Sequence, residues 1–364
     1  MTTYLDANAT EPLRPAAREA ALAALALGNP SSIHGPGRAA RLVLEEARER
    51  VATYFGARPA QVIFGSGATE ANALAIAGLG AGRPVLVGAT EHAAVREAGA
   101  GIDIPVDAQG RADLAALAAL LQAHPGALVC LMAANNETGV LHDLAAAARL
   151  CAEHGALLHV DAVQAVGRVA LDWAGLGAAS LAISGHKIGG PMGAGALILG
   201  PGLDIAPVLR GGGQEQGRRG GTPALPAITG MAAALGAAYD AARIAGLRDA
   251  IESAAAAEGA VVMGAGVPRL ANTTCLALPG VRSETQLIAL DLAGFAVSAG
   301  AACSSGRLAG SHVLAAMGQG DLATHSLRVS LPWNVADEVV PAFTAAYAAM
   351  ARRARMGQNA SLSA

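Results

Sequence analysis

Short apolar runs alternate with stretches of helical period through the first half of the chain. Val62-Ile63-Phe64, Val85-Leu86-Val87, Leu128 to Met132, Leu157-Leu158-His159-Val160 and Leu181-Ala182-Ile183 have the length and apolar character of buried strands. Between them, Glu70 to Ala77, Leu114 to Gln122 and Leu144 to His154 read as helices. Two more helices are expected ahead of the first strand. Ala16 to Ala26 is closed by Gly28-Asn29-Pro30, and a second runs from about Gly37 to Phe55 with Arg41, Glu45, Arg48 and Glu49 as charge pairs. Strand–helix–strand repetition predicts a mainly parallel sheet flanked by helices, an α/β fold whose ligands sit beyond the carboxyl ends of the strands.

A shift in composition across Glu252 to Gly266 marks a boundary. The expected division is a large domain over 16–255 and a smaller α+β domain over 256–364, joined by an extended N-terminal arm, 1–15. At 364 residues such a pair of units is the natural expectation. Apolar residues make up 53% and charged residues 15%, which excludes a disordered chain. The net charge is −3, and no basic run exceeds Arg352-Arg353-Ala354-Arg355, so no nucleic-acid or membrane-surface partner is expected. Met1 to Asp6 has neither a basic start nor a long apolar stretch, so no secretion signal is expected, and Gly, Pro and charge break the apolar stretches before they read as a membrane-spanning helix. Cys130, Cys151, Cys275 and Cys303 are widely spaced without a C-x-x-C pair. That disfavours a metal site or disulfide framework and makes the cytoplasm the expected location.

Lys187 is the sole lysine among 25 Lys and Arg residues. Arginine keeps a positive charge and donors but stays protonated, whereas an ε-amine can lose its proton and condense with a carbonyl. The residue follows a strand-like run in Ser184-Gly185-His186-Lys187 and precedes the glycine-rich Gly189 to Gly195, where a buried cofactor such as pyridoxal phosphate could be tethered.

Other candidates fall just after strands. Gly65-Ser66-Gly67-Ala68-Thr69-Glu70 opens a helix and is either a tight turn or a phosphate cradle. Asp161 and Gln164 follow the strand ending at Val160, with Asp161 suited to a protonated ring nitrogen or to capping a helix. His92 lies beyond Val87, where an imidazole could stack on a ring and move protons. Cys303 sits among small residues from Ser298 to Gly306, with structural and nucleophilic roles both open. Arg328 offers a fork for a carboxylate. Gly211 to Thr222 is either a flexible surface loop or a means of delivering Thr222 and an arginine to an anion, across a subunit boundary in the latter case.

Together these motifs resemble the cysteine desulfurases of the class V aminotransferase family, fold-type I pyridoxal phosphate enzymes. The likeness runs from Tyr4-Leu5-Asp6-Ala7-Asn8-Ala9-Thr10 to Arg328-Val329-Ser330-Leu331. It passes through Asn29 to His34, Ser66 to Glu70, Asn135-Asn136-Glu137-Thr138-Gly139, Ser184 to Lys187 and the cysteine segment. Departures stand at Ala7, Ala73, Gly221, Pro223-Ala224 and Leu331-Pro332-Trp333.

The resemblance implies a Schiff-base lysine at Lys187, a stacking histidine at His92, Asp161 under the ring nitrogen and Gln164 at the ring hydroxyl. Ala68, Thr69, Ser184 and His186 match cofactor-holding positions, and Thr222 matches a threonine from a neighbouring subunit, implying a homodimer. Asn136 and Arg328 match positions facing substrate and cofactor, Arg328 on the carboxylate. Cys303 matches a nucleophile that takes sulfur from L-cysteine as a persulfide, releasing L-alanine. The sulfur would pass to an acceptor protein such as an iron–sulfur cluster scaffold. Selenocysteine lyase, another class V aminotransferase activity and a non-catalytic scaffold of the same fold are the alternatives.

Overall fold

Strands form where the apolar runs leave no face for water. In the computed structural model, which describes residues 2–99, 101–300 and 310–362, a seven-stranded sheet has the order Val62–Gly65, Gly195–Leu199, Ser180–Ser184, Leu157–Asp161, Leu128–Cys130, Val85–Gly88, Ile102–Ile104. All run parallel except Gly195–Leu199, which is antiparallel to both neighbours. Every residue of Leu128–Cys130, Ser180–Ser184 and Gly195–Leu199 is buried, as in a sheet covered on both faces.

The period of two sorts side chains between those faces. Ile63, Val87, Cys130, Ala182 and Leu197 meet Ala71, Leu74 and Ile76 of helix Ala68–Leu79. Their neighbours Leu86, Val129, Leu158, Val160 and Ile198 join a core with Leu44 and Val51 of helix Gly35–Tyr54 and Leu117 and Leu121 of helix Leu114–Ala123. Helix starts follow the local chemistry. Asp113 accepts from the N–H groups of Ala115 and Ala116, and Asp143 from that of Ala146.

A second core surrounds the antiparallel sheet Ser326–Ser330, Thr273–Ala277, Val261–Val262. It gathers Leu276, Leu327, Phe343 and Tyr347 with Ile244, Ile251 and Ala255 of helix Ala241–Ala257. That helix precedes most of the composition shift yet packs into the later unit. The N-terminal arm joins the two cores. Thr3–Tyr4 pairs with Phe295–Ala296, Leu5 is buried in the second core, and Asp6 bridges to Ser330. The Trp333 amide and indole N–H then donate to Glu11 Oε1 (2.8 Å) and the Pro12 carbonyl (3.0 Å), steering the arm to the large sheet, where Glu11 N donates to the His186 carbonyl.

The glycine-rich segment 211–222 is tied down by charge. Both carboxylate oxygens of buried Glu215 accept from Arg48 (2.7 and 2.9 Å), and Oε2 also accepts from Phe64 N. Arg48 in turn lies 4.7 Å over the Phe64 ring. Glu215 and its neighbour Gln216 hold φ of 50° and 58°, a sparsely populated region for side-chain-bearing residues. Among the described residues no helix is long and apolar enough to cross a membrane.

Candidate active site

The carboxyl edge of the parallel sheet opens into a cavity of about 640 Å³. Ala68, Thr69, His92, Asn136, Asp161, Gln164, Ser184, His186, Lys187 and Arg328 all line it, although they come from nearly the whole length of the chain. Strand ends supply Asp161 and Ser184, and a single 3-10 turn, Gly185–Lys187, presents His186 and Lys187. Helix Ala68–Leu79 points its N-terminus into the same space, where its first N–H groups lack partners within the helix. Gly195 makes this approach possible: a Cβ there would lie 2.5 Å from the Gly67 carbonyl carbon.

Lys187 Nζ donates to the carbonyls of Asn8 (2.6 Å) and Ala9 (2.9 Å), so the arm itself holds the amine. His92 caps the short helix Ala93–Arg96, its Nδ1 accepting from Ala94 N at 3.1 Å. That bond places any proton of the neutral ring on Nε2. Burial, with Lys187 and His312 nearby, holds the imidazole below its ordinary value despite the opposing pull of Asp161. His186 Nδ1 lies 3.1 Å from Thr10 Oγ1, and burial followed by the Lys187 charge brings its ring to about 4. Both imidazoles are therefore neutral at pH 7.

Asp161 is fixed from two sides. Oδ1 accepts from Val163 N (3.0 Å), and Oδ2 accepts from Asn72 Nδ2 (2.7 Å). The Asn72 carbonyl oxygen then faces His159 Nε2 (3.0 Å), and His159 Nδ1 faces Ser180 Oγ (2.8 Å). Because Asn72 must donate to the carboxylate, its oxygen accepts, so His159 carries its proton on Nε2 and takes one from Ser180. Burial raises Asp161 from its ordinary value, while Val163, Asn72, His92 and Lys187 oppose that rise.

The sequence reading did not single out His159, although it is a polar residue in an apolar strand. Its two-residue spacing from Asp161 puts both on the face covered by the helix carrying Asn72. Asn8 was also missed as a site residue. Its carbonyl accepts from Lys187 and Gln164, its Nδ2 donates to the Asn136 carbonyl and Thr273 Oγ1, and its Oδ1 accepts from Arg168. Arg168 also donates to Gln164 Oε1 and pairs with buried Glu11 at 2.9 Å.

Arg328 reaches the cavity with both terminal nitrogens already engaged: Nη2 pairs with Asp6 Oδ1 at 2.6 Å and Nη1 donates to the Asn136 carbonyl at 3.2 Å. Its Nε is buried and has no hydrogen-bond partner among the described residues. Thr222 does not line the large cavity. It borders a pocket of about 60 Å³ that shares Ser66 and Gly193 with it, beside Arg219, which pairs with Glu70 at 2.7 Å. Cys303 lies outside the described residues.

Buried neutral imidazoles make the fold sensitive to acid. Burial brings His142 and His159 from 6.5 to about 4. Each ring binds its proton more weakly folded than unfolded, so stability is full above pH 6.5 and declines as pH falls towards 4. At pH 5 the two together are expected to remove about 4 kcal/mol relative to pH 8, read as a drop in the urea midpoint. An unchanged midpoint across that range would refute this.

The family model for class V aminotransferases matches residues 3–343. A cysteine desulfurase of Cereibacter sphaeroides is 42% identical over 360 residues, 92% of each chain. An IscS-like cysteine desulfurase of Mycobacterium tuberculosis is 39% identical over 356 residues, spanning 90% of this chain and 91% of that one. The solved structure of a NifS-like protein from Rickettsia africae superposes with a TM-score of 0.89 at 32% identity, covering 96% of this chain and 99% of that one.

Proposed function

The chain belongs to the class V aminotransferase family, with the fold-type I α/β architecture and the activity of a cysteine desulfurase, and on that premise we propose how its residues divide the work. The observation carrying the proposal is the convergence of the only lysine, a braced strand-end carboxylate, a tautomer-fixed imidazole and a helix N-terminus on one cavity.

Those groups fit pyridoxal 5'-phosphate. A helix start with Thr69, together with Ser184 and His186, suits its phosphate. Asp161 suits its ring nitrogen, Gln164 its hydroxyl, His92 its face and Lys187 its aldehyde. When bound, the cofactor supplies an electron sink that labilises bonds at the amino-acid α-carbon.

The protein's own residues do the rest. Lys187 Nζ takes and returns protons at the substrate carbon skeleton, and the Asn8 and Ala9 carbonyls orient it for that task. The Asn72–His159–Ser180 chain keeps Asp161 from turning and excludes water from its inner face. Arg328, beside Asn136, holds the substrate carboxylate of L-cysteine. Cys303 accepts the substrate sulfur: its thiolate forms the S–S bond as the substrate Cβ–S bond breaks, and protonation of the remaining skeleton gives L-alanine.

A homodimer completes the site, Thr222 and its glycine-rich segment reaching the phosphate of the neighbouring copy. Thr222 is exposed in the single chain, which suits that role. The persulfide then serves a sulfur-acceptor protein such as an iron–sulfur scaffold in the cytoplasm, where a free thiol stays reduced. Purified protein given L-cysteine and a reductant should release alanine and sulfide in equal amounts. Alanine without sulfide, or neither product, would overturn the assignment.

A further inference from the structure

The two described ends of the segment carrying Cys303 meet at one buried carboxylate. Glu137 sits next to cavity-lining Asn136 in a turn organised by Asn135, whose Oδ1 accepts from the N–H groups of Glu137 and Thr138, both at 2.9 Å. Ser311 Oγ donates to Glu137 Oε2 at 2.6 Å while accepting from Leu314 N, so the serine that caps helix His312–Ala316 is anchored to the large domain. Gly300 packs against the same oxygen so closely that a Cβ would lie 2.2 Å from Glu137 Oε2 and 3.0 Å from Ser311 Cβ. A second tie lies one residue on: His312 Nε2 meets the carbonyl of Glu91, next to His92, at 3.0 Å. On the near side of the segment Ser298 bridges Arg328 of the small-domain sheet, and Gly300 and Ser311 on its two sides meet at the Glu137 carboxylate.

We propose that Glu137 is a positioning residue for sulfur transfer, its carboxylate pinning both ends of the cysteine segment to the loop that carries Asn136. The inference rests on the reading of Cys303 as the sulfur acceptor. Glu137 touches neither cofactor nor reacting atoms in this role; it fixes where the tether begins and ends. A glycine at 300 and a small hydroxyl at 311 are what such a pinch requires.

Two variants attack the pinch from opposite sides. Glu137→Ala removes the carboxylate, and Gly300→Ala drives a methyl into it; Glu137→Gln retains an acceptor for Ser311. Misplacing a reacting group by ~1 Å lowers rates on the order of 10²-fold, so both alanine variants should lose about ten- to a hundredfold in alanine formation from L-cysteine. Exchange of the L-alanine α-proton in D₂O, which needs Lys187 but no sulfur acceptor, should stay unchanged, and Glu137→Gln should recover most of the lost rate.

Iodoacetamide supplies a readout independent of turnover. The other three thiols are buried, Cys130 raised well above its ordinary value and Cys151 and Cys275 pushed up to about 12, so alkylation followed by mass spectrometry reports on Cys303. Its rate should rise in both alanine variants. Wild-type desulfuration in Glu137→Ala, or equal loss of α-proton exchange, would overturn the inference. Should Cys303→Ala itself keep forming alanine, the sulfur-acceptor reading fails first and takes the inference with it.

Discussion

Replacement of Cys303 with alanine is expected to cut alanine and sulfide formation from L-cysteine by at least about 10³-fold, while the visible absorbance of the bound cofactor persists. No other thiol can substitute. Cys130 lies inside the central sheet, Cys275 inside the second sheet and Cys151 against the large core, each buried and each a poorer acid than a free cysteine. A thiol that stays protonated is neither nucleophile nor sulfur carrier. The outcome also separates the neighbouring activities of the family. An amino-group transfer would proceed unaltered in the variant, so unaltered turnover with L-cysteine would sink the sulfur-acceptor role.

The second large effect is expected at Lys187. In Lys187→Arg the positive charge and the bonds to the Asn8 and Ala9 carbonyls can persist, but the guanidinium cannot release its proton. Loss of a general acid–base group removes about 10²–10⁴ in rate, so alanine formation should fall by at least about 10³-fold. Unlike Cys303→Ala, this variant should also lose α-proton exchange with L-alanine and the visible band of the wild type. Retention of either would place the amine chemistry on another group, and the sequence holds no other lysine to receive it.

Much of this arrangement was legible in the chain because it is local. Apolar runs of strand length alternating with helical stretches predict the parallel sheet, and the helices starting at Leu114 and Leu144 begin as expected and end within one residue of expectation. Strands Ile102–Ile104 and antiparallel Gly195–Leu199 were not named, the first being short and the second masked by the glycines beside it. Residues that line the cavity because of their own position at or after a strand end, such as Asp161, Lys187 and His92, could be found by inspection. Residues that act by holding others could not. Asn8 matters because its bonds reach Lys187, Gln164, Asn136 and Thr273, and nothing in the sequence near position 8 announces those partners. Arg328 was expected as a carboxylate clamp; its ion pair with Asp6 depends on a bridge between the two ends of the chain.

The arm has a kinetic implication. The amide of Asn8 donates to Ser330 Oγ, a partner 322 positions later, and Thr3–Tyr4 waits for Phe295–Ala296. A ribosome adding about 5–20 residues per second makes the arm roughly 15–65 s before its partners exist. The large sheet can fold in that interval, but the carbonyls that orient Lys187 cannot be seated until the last strand has emerged. Competence for chemistry is therefore among the final events of synthesis, and a nascent chain that is otherwise largely folded would remain inert until its earliest residues close the structure.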